Sequence, residues 1–190
     1  MNRLMTRALM LAAPMLIATP ALAAENLACI ASGYSAEQTT AMDTYAASVD
    51  FRALADMPVP IATIIEERAR TCAATHSWSA QAQTSAISYY RGAVLQRGLR
   101  ANSLVTPEKL TEIDVAIDAS DQAQLRRTMQ RLMLFARREG PGPDAADIGI
   151  IMPILAASGL AMSNETGTFI GAWIAARISA QDTSRDFLTQ

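Results

Sequence analysis

The chain has 190 residues, with 16 basic and 18 acidic side chains, one histidine, two cysteines and 51% hydrophobic residues. That is enough apolar material for one domain with a full core, and the faint acidity excludes a general attraction to nucleic acid or anionic lipid. One histidine and two cysteines fall short of the four ligands of a structural zinc site, so no metal or cofactor is implied.

Arg3 and Arg7 precede an apolar run from Ala8 to Ala18, Pro20 breaks it, and Ala21-Leu22-Ala23 supplies an A-x-A cleavage pattern. Residues 1–24 are therefore expected to be a secretory signal peptide, their apolar run being too short for a membrane anchor. Without Arg3 and Arg7 the chain keeps 14 basic against 18 acidic residues, a net charge of −4. Met1, Met5, Met10 and Met15 leave as well, so the methionine content is partly a property of the leader and does not argue for a plastic binding groove. In an oxidising periplasm Cys29 and Cys72 are expected to pair, closing a loop worth about 4 kcal/mol in the chain-entropy model.

Apolar spacings of three and four run through residues 25–180, and no stretch alternates like a strand, so the class is all-α. The expected architecture is a single domain of about seven or eight helices in antiparallel hairpins. A short first helix carries Cys29, and Ser35-x-x-Gln38 forms a capping box for a second with Met42, Tyr45 and Val49 on one face. Pro60 suits the first turn of the next helix, which runs to about Thr75 with Ile61, Ile65, Cys72 and His76 on one stripe. The turn His76-Ser77-Trp78 leads to a helix from Ser79 to about Gly98, with Ile87, Tyr90 and Val94 inward.

Thr106-Pro107 opens a helix whose inner face is Leu110, Ile113 and Ile117. Asp121-x-x-Gln124 caps another with Leu125, Met129, Leu132 and Ala136 inward, ended by Pro141-Gly142-Pro143. Arg127, Arg131 and Arg138 line the other side of that helix around Leu134. They could grip an anionic partner, but with Glu112, Asp114 and Asp118 on the preceding helix they read as a self-neutralised, solvated face. Ile148 to Met162 and Phe169 to Ala176 carry no charge, so a hairpin over 147–178 is expected to be the buried centre, with Gly167, Gly171 and Ala175 marking a close helix contact. Residues 181–190 turn polar and read as a loosely held tail.

Second helices starting near Ser35, Ser79, Asp121 and Asn164 give a period of roughly 43 residues, within the range of helical repeats. Only the first two units share Cys-x-Ala-Ser/Thr followed by an aromatic residue, Ser and Ala, at Cys29 to Ala36 and Cys72 to Ala80. The Cys29-Ile-Ala-x-x-Tyr34 opening resembles small helical periplasmic immunity proteins, and a disulfide-bonded helical domain is similar to periplasmic acid chaperones. No residue role follows from either resemblance.

His76 stands one helical turn after Cys72, the spacing of an imidazole-activated thiol, but a disulfide removes that nucleophile. Tyr34, His76 and Trp78, brought near one end by the bridge, are left as the candidate binding residues. The expected function is that of a non-enzymatic, exported periplasmic binding protein for another envelope protein or a small ligand, with neither a nucleic-acid partner nor a membrane span. The alternatives are an envelope-acting enzyme using carboxylates, and a holdase-like chaperone.

Overall fold

Helix starts follow the capping side chains of the sequence. Ser35, Ser79, Thr106, Asp121, Asp144 and Ser163 each place a side-chain oxygen on a backbone N–H of the first helical turn. The computed structural model describes residues 24–53 and 57–190, and the expected signal peptide lies outside them apart from Ala24. After a 3-10 segment over Ala24–Ala31 come α1 (Ala36–Ala47), a short 3-10 turn at Phe51–Ala53, α2 (Val59–His76), α3 (Ala80–Ala101), α4 (Pro107–Ala119), α5 (Gln122–Ala136), α6 (Ala145–Ser158) and α7 (Asn164–Leu188). The fold is all-helical, with one disulfide.

Two apolar cores share α3 and α7. The first gathers Leu110, Ile113 and Ile117 of α4, Leu125 and Met129 of α5, and Ile154 and Leu155 of α6 against Phe169, Ile170, Trp173 and Ile174 of α7. The second holds Ile30, Met42, Ile61, Ile65, Cys72 and Trp78 around Tyr90 and Val94 of α3, with Phe187 of α7. Leu99 of α3 belongs to the first core and Ala82 to the second, so the two long helices run antiparallel as a spine. Where they pack, a Cβ on Gly92 would sit 3.9 Å from the Ala176 carbonyl and from Ala180, an ordinary van der Waals contact.

The burial of α7 agrees with its charge-free segment, but its chief neighbour is α3, while α6 packs mainly on α4. The charge-free segment of α6 after Asp147 is half open: Ile148, Met152 and Met162, just beyond it, are 52%, 43% and 66% exposed. The expected close contact at Gly167 and Gly171 is absent, since a Cβ at either would meet nothing within 4 Å. The close approach is at Gly98 of α3 instead, where a Cβ would lie 2.6 Å from Val49 Cγ2. Residues 181–188 continue α7 where a loose tail was expected. Phe187 is fully buried edge-on against Trp78, ring centroids 4.9 Å apart, and that contact holds the otherwise polar end in place.

Candidate functional site

At the disulfide end, Cys29 of the first 3-10 segment is bonded to Cys72 of α2, Cα atoms 6.0 Å apart. Arg68, one turn before Cys72, donates from Nε and a terminal nitrogen to the Cys29 carbonyl, each at 3.1 Å. Its guanidinium lies over Gly33, where a Cβ would meet Arg68 Cζ at 2.6 Å, and Gly33 also takes the left-handed φ of +76°. The left-handed φ favours glycine there, whereas an added Cβ would meet only the end of the flexible Arg68 side chain.

Tyr34 donates its hydroxyl to the Ile30 carbonyl at 2.8 Å and stacks on Tyr90, centroids 5.4 Å apart. Burial, then the neighbouring Tyr90 phenol, push the Tyr34 pKa far up, so the hydroxyl stays protonated, with Arg68 only partly opposing. Ser77 takes a left-handed φ of +54°, and the Trp78 N–H returns 3.1 Å to the Ala73 carbonyl. That closing bond folds the residue after the turn back onto its own helix. Trp78 is accordingly 8% exposed, facing His76 at 6.2 Å on one side and Phe187 on the other. Its Nε1 is buried without a hydrogen-bond partner among the described residues. The two candidate aromatics therefore stand on different neighbours, and only His76, half-buried, joins Trp78 at the turn.

A second region, with Arg131 among the stripe weighed in the sequence, lies between α5 and α6. Leu132, Pro143, Ile148, Ile151, Met152, Leu155 and Met162 line a groove of about 310 Å³, with Asp147 at its edge. The Asp147 carboxylate is buried and fully engaged: Thr128 Oγ1 donates to it at 2.6 Å, Arg131 at 2.8 Å and the Asp144 backbone N–H at 3.0 Å. The Thr128 hydroxyl first, then the Asp144 N–H and the Arg131 charge, hold its pKa below the ordinary range. Asp144 is lowered in turn, by the Asp147 N–H and then by Arg131. The other carboxyls with displaced pKa values, Glu108 and Asp121, are also lowered, chiefly by the Thr106 hydroxyl and the Gln124 N–H. None of these four is a proton donor near neutral pH.

Of the stripe Arg127, Arg131 and Arg138, only Arg131 forms an ion pair among the described residues, and its acids are not those of α4. Arg126 pairs with Asp182 at 2.8 Å and Arg131 with Asp144 and Asp147, while Asp114 and Asp118 of α4 pair with Arg177 of α7. Of the nine large hydrophobic residues exposed among the described residues, six are Met133, Leu134, Phe135, Ile148, Met152 and Met162. All six belong to α5, α6 or the turn into α7. Sequence patterning missed this face because a charge-free run reads as core unless something shows that no element covers it. A distinguishing signal was nonetheless present in the three consecutive apolar residues Met133-Leu134-Phe135, which no single helical stripe can bury.

Among the described residues no group of three or more His, Cys, Asp or Glu is placed to hold a metal ion, and no helix is long and apolar enough to cross a membrane. Compared with protein-family models, curated proteins and solved structures, the chain gives no match.

Proposed function

We propose that this chain is a non-enzymatic binding protein of the bacterial periplasm that docks another envelope protein through its α5–α6 face. The observation that carries the reading is the apolar groove between α5 and α6, at which Ile148, Met152 and Met162 stand exposed. Contiguous apolar surface rimmed by polar residues is the mark of an interaction site, because leaving it in water is unfavourable unless a partner removes it. The periplasmic setting is supported by the tripartite leader of residues 1–24 and by the Cys29–Cys72 bridge, which persists in an oxidising compartment.

The test is capture from periplasmic extract with two baits, the wild-type mature chain and Ile148→Asp. Ile148 is 52% exposed, so the change should leave the thermal midpoint in place. The expected result is one or a few envelope proteins retained by the wild type and lost with the variant. Identical capture by both baits would remove the α5–α6 face from the docking role. Fractionation completes the test: a chain found only in the cytoplasm contradicts the periplasmic assignment.

A further inference from the structure

The two sulfurs of the bridge stand in unlike places. Cys72 is fully buried in the second core, whereas Cys29 is half-buried on the first 3-10 segment, with Ala28, Ala31 and Ser32 exposed around it. The charge beside them is one-sided as well. Besides its two bonds to the Cys29 carbonyl, the Arg68 guanidinium donates to Cys29 Sγ at 3.4 Å. Among the described residues Arg68 forms no ion pair, and the acids that precede it, Glu66 and Glu67, pair with Arg91 and Arg70. The other titratable groups at this end are Tyr34 and Tyr90, which stack on each other, and His76, which stacks on Trp78. Burial keeps both phenols protonated, so Arg68 supplies the charge at Cys29.

In the reduced chain these differences separate the two thiols. The thiolate is the nucleophile of disulfide exchange; a neighbouring guanidinium favours it and an apolar interior disfavours it. We propose that Cys29, primed by Arg68, is the thiol through which the bridge forms and exchanges, its partner being the disulfide of an oxidising thiol–disulfide exchange protein. The Cys29 thiolate attacks one sulfur of that disulfide and the other leaves as a thiolate, which puts a mixed disulfide on Cys29. Cys72 then loses its proton, attacks Cys29 Sγ and expels the partner sulfur bonded there, the two Cα atoms being 6.0 Å apart and so within bridging range. The cysteine pair is oxidised and the partner leaves as a dithiol. Reduction runs the same path backwards, with the incoming thiolate attacking Cys29 and Cys72 leaving. Arg68 takes no part in the bond changes; it is a positioning residue that holds the entry thiol ionised. Nothing in this exchange involves the α5–α6 face.

Reduced mature chain treated at pH 7 with substoichiometric iodoacetamide and mapped by peptide mass should carry the label on Cys29 about tenfold more often than on Cys72. In Arg68→Gln the Cys29 rate should fall about threefold at pH 7 and exceed that of the wild type above about pH 10. The thiolate favoured by the guanidinium is the more abundant one near neutrality and the less nucleophilic one once both are ionised. Loosening of the 3-10 segment alone would raise the rate at every pH instead. With oxidised glutathione as the probe, a mixed disulfide should accumulate on Cys72→Ser while Cys29→Ser stays unmodified. Equal labelling of the two cysteines, faster glutathione capture by Cys29→Ser, or a wild-type to Arg68→Gln ratio that is the same at every pH overturns the proposal. So does a reduced wild type without a helical far-UV signal, since Arg68 would then have no fixed place beside Cys29.

Discussion

Asp147 is a charged side chain buried to 1% exposure, and its environment dictates its protonation. Its oxygens accept from Thr128, Arg131 and the Asp144 N–H, so ionisation is favoured and the folded-state pKa lies below that of an unfolded aspartate. A lowered pKa contributes stability that is fully present above the unfolded value and is lost as the pH falls through the folded one. Asp147→Asn keeps the shape and removes the charge, leaving Arg131 facing an amide. Its thermal midpoint should lie below that of the wild type at pH 7, and the gap should begin to narrow once the pH falls below the unfolded aspartate value of about 3.9. Parallel midpoint curves for the two proteins from pH 7 to 3 would show that the charge of Asp147 does not stabilise the fold.

Helices differ here less in what they contain than in what lies opposite them, and two glycines make the point. Gly171 in mid-α7 faces open space, so Gly171→Ala should raise stability by about 0.5 to 1 kcal/mol through helix propensity alone. Gly98 near the end of α3 has Val49 Cγ2 at 2.6 Å and the Ala46 carbonyl at 2.7 Å from a built Cβ. There the same substitution forces α1 and its following turn away, and Gly98→Ala should cost about 1 to 3 kcal/mol. Urea midpoints of the two variants moving in the same direction would refute this division. The end of α7 is a third case. Its sequence from Gln181 to Asp186 is polar, yet Phe187 fills the second core against Trp78. Phe187→Ala should therefore destabilise by about 3 to 5 kcal/mol, the range for emptying a buried aromatic site. A truncation at residue 180 that unfolded at the wild-type urea concentration would return this segment to the status of a tail.

For the whole molecule the disulfide joins the first 3-10 segment to α2 across 43 residues. Replacing both cysteines by serine should lower stability by about 4 kcal/mol at 25 °C, read as a shift of the urea midpoint at unchanged slope. A double variant as stable as the wild type would mean that Arg68 and the second core hold that end unaided. Local chemistry decided much of what precedes these long-range effects. Capping residues set the helix starts, spacing of three and four set the all-α class, and the lone cysteine pair set the bridge, because each depends on groups within one or two turns or on elimination. Ser77 and Arg138 show where local reading stops: the turn at His76-Ser77-Trp78 was legible, but its left-handed conformation at Ser77, like that at Arg138, is one that sequence associates with glycine. The same holds for the charge-free segments of α6 and α7, which are alike in composition. Only the tertiary arrangement buries one against α3 and leaves the other facing water as the Met152 groove, because burial depends on which element arrives from far along the chain to cover a face. Likewise the acids that neutralise Arg126 and Arg131 come from α7 and from Asp144 and Asp147 at the start of α6, and that Arg137 and Arg138 make no ion pair among the described residues is visible only once every helix is in place. A charge is balanced by its neighbours in space, and sequence lists only its neighbours along the chain.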